Sequence, residues 1–99
     1  MGTSARARPK RLPEKLLQIR ESLGLSQTEM GRRLGLTDEF ARNYVSGYER
    51  NTREPTLEVL LAYARYVSAS KAGEYLEALI DDQMDLKLSR WRGMKGRPL

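Results

Sequence analysis

The side chains best suited to chemistry in this sequence fall in residues 37–49, TDEFARNYVSGYE. At helical spacing, one face of this segment would carry the apolar residues Phe40, Tyr44, Val45 and Tyr48. The other face would carry the polar residues Arg42, Asn43, Ser46 and Arg50. Arginine can pair with guanine and asparagine with adenine, and such groups also contact phosphate. The segment suits a reader of nucleic acid, although an ordinary amphipathic helix with a solvated face has the same pattern.

The composition excludes several other kinds of site. The 99 residues contain no Cys and no His, which removes disulfides, thiol and imidazole nucleophiles and the usual zinc ligands. No apolar run is long enough to cross a membrane, and the N-terminus lacks the apolar stretch of a signal peptide. We therefore predict a protein that is not an enzyme, needs no cofactor or metal, and works in a bacterial cytoplasm, on the nucleoid when bound to DNA.

Charge is unevenly distributed along the chain. Residues 1–12 and 87–99 hold nine bases and no acid, whereas residues 13–86 sum to −4, which together give the net charge of +5. Within the middle part, residues 13–53 hold seven bases and six acids, and residues 54–85 hold two bases and seven acids. Basic tails, a basic front and an acidic back favour a polyanion contacted from one side. Solvated, disordered tails would give the same charge.

Proline and glycine divide the chain into five helical segments and indicate an all-α fold. Pro13 suits a first helical turn, Gly24 suits a helix end, and Ser26 with Glu29 forms a capping box. The predicted inward-facing residues are Leu16, Ile19 and Leu23, then Leu25, Met30 and Leu34, then Leu57, Leu60, Leu61, Ala64 and Val67, and finally Leu76, Leu79 and Ile80.

The second helical segment, SQTEMGRRLG, is short and has a glycine at its middle. A positioning helix that crosses close over a recognition helix needs a small residue at the contact, and Gly31 is at that position. Glycine costs about 1 kcal/mol relative to alanine inside a helix, so the packing should recover that cost. Gly31 could instead be a tolerated weak point on a surface helix.

Two runs, RESLGLSQTEMGRRLG and VSGYERNTREPTLEVL, resemble the lambda-repressor/Cro-like helix-turn-helix proteins of the xenobiotic-response-element type. The resemblance covers residues 14–80. The matching positions are Gln27, Leu34, Gly35, Ser46, Tyr48, Glu49, Arg53 and Pro55. Gly31 stands where the family usually has Ala, and Asn51 where it often has Gly. The resemblance implies a compact five-helix domain that binds DNA.

The spacing departs from the family pattern at one place. About ten residues usually separate the turn glycine from the glutamate of Y-E, whereas Gly35 and Glu49 are fourteen apart. The insertion leaves two possible starts for the recognition helix. It begins at Asp38 and is long, or it begins near Arg42 or Asn43 after a separate turn.

The resemblance also implies roles for individual residues. Gln27 and Thr28 would hydrogen-bond phosphate, and Arg50, Asn51 and Arg53 would lie near phosphates. Aligned backward from Ser46, the base-reading positions are Arg42, Asn43, Tyr44, Ser46 and Gly47. Gly47 would leave room for a close approach to DNA. Glu49 and Arg53 could equally be structural.

The tails and the last helix complete the predicted organisation: an arm (residues 1–12), a DNA-binding domain (13–82) and a basic extension (83–99). Arg6 and Arg8 of the arm could enter a minor groove, or the arm could be a flexible solubilising tail. Trp91 could stack on a partner or cover the apolar surface of its own domain. A second copy would supply the second half-site, and its predicted interface is Tyr75, Leu79, Ile80, Met84 and Leu86.

Together these observations predict a sequence-specific regulator, a repressor, that binds a roughly palindromic site on double-stranded DNA as a homodimer. An antitoxin or adaptor is the alternative, in which the C-terminal segment binds a partner protein and DNA binding is secondary. A third hypothesis is a nonspecific nucleic-acid binder driven by the tails.

Overall fold

The computed structural model describes residues 8–88, which form five α-helices in chain order. They are α1 (Leu12–Leu23), α2 (Gln27–Arg33), α3 (Asp38–Arg50), α4 (Leu57–Val67) and α5 (Ala72–Ile80). The all-α, five-helix prediction is confirmed. None of the helices in this part of the chain is both long and apolar enough to cross a membrane.

The predicted helix ends are formed by the expected local interactions. In α2 the Ser26 hydroxyl accepts from the Glu29 N–H (3.0 Å), and the Glu29 carboxylate accepts from the Ser26 N–H (2.8 Å). Gly24 ends α1 in the left-handed conformation, at φ 72°. Asn51 ends α3 in the same conformation, at φ 61°, which explains why glycine is frequent there in the resembling proteins. The local sequence therefore specifies where α2 begins and where α1 and α3 end.

A single core joins all five helices. Its buried apolar members are Leu12, Leu16, Ile19, Met30, Val45, Tyr48, Leu60, Tyr63, Val67 and Leu79. Leu57 and Ile80 were expected to face inward but are 63% and 47% exposed, and Phe40 is 45% exposed. Leu57 is the first residue and Ile80 the last residue of its helix, so each lies where its helix leaves the core.

Lys15 is fully buried, which its sequence pattern did not indicate. Its ammonium donates to the carbonyl oxygens of Ala78 (2.6 Å), Asp81 (3.1 Å) and Met84 (2.7 Å). These three acceptors match the three ammonium hydrogens, and two of them belong to the C-terminal end of α5 or the residue after it. A cation there is favourable because unpaired carbonyls give a helix C-terminus partial negative charge. Lys15 therefore ties α1 to the end of α5.

The segment after α5 folds back over the start of α1. The Asp82 carboxylate accepts from the backbone N–H groups of Lys10 (2.8 Å) and Arg11 (3.0 Å), just before α1 begins. The Arg11 guanidinium donates to the Asp82 carbonyl (2.9 Å) and pairs with Asp85 (2.9 Å). The Tyr75 hydroxyl donates to the Lys87 carbonyl (3.1 Å). Residues 82–88 therefore lie against the helical domain, across the boundary predicted at residue 83.

Candidate nucleic-acid interface

The outer side of α3 presents one continuous polar stripe. Its members are Glu39, Arg42, Asn43, Ser46 and Arg50, which fall on one face at helical spacing. All are exposed except Ser46, which is half-buried. Because α3 begins at Asp38, the first of the two proposed starts is correct and residues 38–41 belong to the same helix as Arg42. We call these five residues the reading stripe.

Gly31 determines how closely α2 crosses α3. A Cβ atom at Gly31 would lie 2.5 Å from the Cβ of Ala41, a distance that real Cβ contacts essentially never show. Gly31 and Ala41 are both buried. The glycine is therefore required for the crossing and is not a tolerated weak point on the surface.

The contact between α2 and α3 gives a second way to align α3 with the family pattern, besides the alignment backward from Ser46. Ala41, the residue that contacts α2, lies six positions after Gly35. In a family member with the usual ten-residue spacing, that position is occupied by the apolar residue directly before the serine that corresponds to Ser46. Counted from this contact, the positions that the resemblance implies for base reading fall four residues earlier, at 38, 39, 40, 42 and 43. Only Arg42 and Asn43 occur in both alignments. The four extra residues add about one turn of helix, roughly 6 Å, within α3.

An ion pair attaches the far end of α3 to α1. Arg20 Nε lies 2.7 Å from Glu49 Oε2, and the two side chains are only 16% and 6% exposed. Gln27 donates to the same Glu49 carboxylate (2.9 Å), so α1 and α2 both hold it. Glu49 is thus structural, as the sequence left open, and the Gln27 amide is turned toward α3. This contact fixes α3 relative to the two helices before it.

The two acids at the start of α3 have different surroundings. Arg32 donates two hydrogen bonds to Asp38, at 2.7 and 3.2 Å, and these bonds, together with the charge of the guanidinium, lower the pKa of that carboxyl. Within residues 8–88 no ion pair or side-chain hydrogen bond is made to Glu39. The Asp38 carboxylate is thus bound to Arg32 of α2, and Glu39 is the acidic residue of the reading stripe.

Two residues that the backward alignment assigned to base reading lie off the stripe. Gly47 is buried, and a Cβ there would lie 2.9 Å from the Cβ of Arg53. Its small size admits the loop after α3, so the expected approach to DNA at Gly47 is wrong. Tyr44 is half-buried against the core, with the Arg53 guanidinium 3.7 Å above its ring centre. The core contact turns Tyr44 away from the stripe.

The remaining predicted DNA contacts are scattered around α3. Arg50 and Arg53 are exposed, and Thr28 is half-buried in the first turn of α2. Arg8 is exposed beside the start of α4, in a groove that also contains Leu57. Arg6 and Trp91 lie outside the described residues.

The predicted dimer residues do not form one exposed surface. Leu79 is fully buried in the core of its own protomer, so its assignment to an interface is wrong. Tyr75, Met84 and Leu86 are half-buried, and Tyr75 and Leu86 pack against the same core. Ile80 alone among the five is exposed.

The sequence reasoning missed Arg20 and Glu39. Arg20 had a signal, since it is the arginine of the quoted RESLG run, but its partner is 29 residues away. Glu39 matches no position of the two quoted runs and therefore had no signal in the sequence. Its place beside Arg42 and Asn43 followed once the start of α3 was known.

A helix-turn-helix family model matches residues 16–67, which run from the second turn of α1 to the end of α4. The chain belongs to the lambda-repressor/Cro-like helix-turn-helix family. This family consists of DNA-binding transcription regulators. No curated protein and no solved structure matches the chain significantly. In this helix-turn-helix protein, α2 is the positioning helix and α3 the recognition helix.

Proposed function

We propose that this helix-turn-helix protein is a sequence-specific repressor that binds a two-fold symmetric DNA site as a homodimer. The observation that carries the proposal is the reading stripe, an exposed polar face on a recognition helix that two other helices hold in place. Recognition helices of this class lie in the major groove, with their N-terminal residues on base edges. The first three members of the stripe occupy that N-terminal half.

Arg42 and Asn43 are the principal readers. The guanidinium of Arg42 would donate to guanine O6 and N7, and the Asn43 amide would pair with adenine N6 and N7. Each such bidentate pair discriminates against a wrong base by about 1–3 kcal/mol. Arg42 and Asn43 are base-reading positions both in the alignment backward from Ser46 and in the alignment from the contact between α2 and Ala41.

Glu39 adds a third reader one turn earlier. A carboxylate in the major groove accepts from the N4 amine of cytosine and is repelled by the phosphate backbone elsewhere. The Glu39 carboxylate would lower the affinity for DNA of any sequence. The loss would be smallest at sites where a cytosine amine can donate to the carboxylate. Glu39 therefore supplies specificity at the cost of affinity.

Positive side chains around the stripe would contact the backbone and set the register. Arg50 and Arg53 follow the readers, and Thr28 is a further candidate in the first turn of α2. Gln27 keeps a second amide hydrogen beyond the one it gives to Glu49. Arg6 would extend the contacts from the N-terminal arm into an adjacent minor groove.

A dimer bound over a promoter would repress by occupying DNA that the polymerase needs. Two half-sites about one helical turn apart also increase affinity, because one domain of this size covers few base pairs. A promoter-reporter assay with the selected site over or upstream of the promoter tests the direction of regulation. Repression only from the overlapping position is the expected result.

The experiment that tests base reading is selection from a random-sequence duplex pool at two salt concentrations. Wild type should enrich a short, roughly palindromic site. Arg42→Ala/Asn43→Ala should keep only binding that is independent of sequence and sensitive to salt. The proposal fails if wild type enriches no site, or if the double variant enriches the same site as wild type.

Arg65→Ala is the matched control, since Arg65 is an exposed arginine in the last turn of α4. It removes the same charge without touching the stripe. It should select the wild-type site with only a small loss of affinity. If Arg65→Ala abolished selection as the double variant does, the loss of selection would be due to the change in net charge and not to the loss of base reading.

A further inference from the structure

An open apolar groove of about 480 Å³ lies between the start of α4 and the end of α5. Leu57 and Ile80 protrude beside it, 63% and 47% exposed. Leu12 and Leu60, at 4% and 7% exposure, form its floor. Two large aliphatic side chains left in water beside an apolar floor are typical of a surface that is covered in the working protein.

The groove adjoins the recognition helix. Glu54 and Pro55, in the connection between α3 and α4, line it together with Leu57. They follow the end of the reading stripe at Arg50 by four or more residues. A partner seated in the groove would therefore contact the connection that follows the recognition helix.

The polar rim of the groove is self-complementary in charge. Arg8 and Glu54 both line it, and they are not paired with each other within residues 8–88. In a two-fold dimer each copy would present Arg8 to Glu54 of the other copy, twice. A second copy of this chain also supplies its own Leu57 and Ile80 to an apolar floor of the same shape.

The described C-terminal segment leads away from the groove. Ile80 is the last residue of α5, and the chain then runs back along the helix, so that the Lys87 carbonyl accepts from the Tyr75 hydroxyl. Lys87 lines a different pocket, together with Lys71 and Glu74. That pocket is lined by one side of α5 and by residues after the helix, and it shares no lining residue with the groove. None of residues 82–88 lines the groove, so the described part of the C-terminal segment is not its occupant.

We infer that the groove formed by Leu57, Ile80, Leu12 and Leu60 is the homodimer interface, with Arg8 and Glu54 paired across the two-fold axis. The inference rests on the proposed function for its need of a dimer. It replaces the surface that the sequence indicated around Tyr75, Leu79 and Met84. It places the contact at the connection between the recognition helix and α4.

Analytical ultracentrifugation of the full chain without DNA is the first test. Leu57→Glu and Ile80→Glu should each raise the dimer dissociation constant by about thirtyfold or more, as loss of a central apolar anchor does. Phe40→Glu, which places the same charge at another exposed apolar residue, should leave association unchanged. Unchanged association in the two groove variants would overturn the inference, as would a wild type that stays monomeric both free and on its selected site.

Exchanging the charges at Arg8 and Glu54 shows whether the two residues pair between copies or whether each substitution acts only within its own copy. Arg8→Glu and Glu54→Arg should each weaken self-association, because like charges then meet across the axis. Mixing the two variants should restore a dimer, since both contacts of the mixed pair become attractive. Failure of the mixture to associate better than either variant alone would contradict the predicted pairing.

Two further measurements distinguish the remaining outcomes. Arg42→Ala/Asn43→Ala should dimerise as wild type does, so loss of DNA selection with an intact dimer would fault the proposed function and leave the interface standing. Trp91→Ala should not strengthen the dimer. A stronger dimer in that variant would identify the chain's own tail as the occupant and overturn the inference.

Discussion

Gly31 and Ala41 bring the backbones of α2 and α3 into direct contact. A Cβ atom at Gly31 would lie 2.6 Å from the Cα and from the carbonyl oxygen of Ala41. Backbone atoms cannot rotate away as the end of a side chain can. The angle and depth at which the recognition helix is presented therefore depend on the absence of one methyl group.

Gly31→Ala should reduce the free energy of unfolding. Overpacking a buried contact costs about 1–3 kcal/mol, and the better helix propensity of alanine returns about 1 kcal/mol of that. We expect a net loss of up to about 2 kcal/mol in the free energy of unfolding, measured by urea unfolding. Adding Ala41→Gly should not restore stability, because the Cα and carbonyl oxygen of residue 41 remain in place.

Gly73→Ala is the control for this substitution. Gly73 is exposed in the first turn of α5, and no atom lies within 4 Å of a Cβ placed there. The same change should raise stability by up to about 1 kcal/mol. Equal effects at both glycines would show that propensity alone, and not the helix crossing, determines the result.

Glu49→Ala should destabilise the protein by about 3 kcal/mol, because it leaves the mostly buried Arg20 guanidinium without its counter-charge. Removing Arg20 as well, as Arg20→Met/Glu49→Ala, should cost less than the sum of the single changes. Thermal or urea unfolding of the four proteins completes this cycle. Additive losses would mean that the ion pair makes no specific contribution.

Asp38→Ala is the comparison for an ion pair in water. Asp38 and Arg32 side chains are 71% and 54% exposed, and pairs of this kind contribute little to stability. We expect the free energy of unfolding to change far less than in Glu49→Ala. A loss as large as that of Glu49→Ala would contradict the importance of burial.

Asp82 should make stability depend on pH in the acid range. The backbone N–H groups of Arg11 and Lys10 lower the pKa of this carboxyl below its ordinary value of 3.8. The unfolded chain then binds a proton more readily than the folded one. The stabilisation is complete above the ordinary pKa and is lost as pH falls through the lower, folded-state value.

Asp82→Asn should therefore lower stability at neutral pH and flatten the loss of stability below about pH 4. Urea midpoints measured from neutral pH down to strongly acidic solution check this. Glu77→Gln removes an exposed carboxylate of α5 and is the control. The prediction fails if Asp82→Asn follows the wild-type pH profile at every point.

Glu39→Gln should change selectivity and raise general affinity for DNA. Glutamine removes the repulsion between a carboxylate and phosphate, and its amide can donate where glutamate only accepts. We expect tighter binding to random duplex and loss of the preference for cytosine at one position in each half-site. Selection from the same random pool measures both effects. An unchanged preference at every position would remove Glu39 from the set of readers.

The sequence by itself determined the helices, their ends and the family. The capping box at Ser26, the glycine after α1 and the apolar spacing of α1 and α4 are local signals, formed by residues within a few positions of one another. The ordered matches from Gln27 to Pro55 indicated the helix-turn-helix fold without any knowledge of packing. Arg42 and Asn43 could be named for the same reason, because they lie on the polar face of an evident amphipathic helix.

Tertiary structure decided what depends on distant contacts. The insertion between Gly35 and Glu49 could be placed only once α2 was seen to cross α3 at Ala41. The burial of Lys15 and the pairing of Arg20 with Glu49 join residues that the sequence keeps far apart. Leu79 and Ile80 are adjacent apolar residues of one helix, yet the core covers one and leaves the other in solvent. Helical spacing specifies a face, and only the packed neighbours decide whether that face is core or surface.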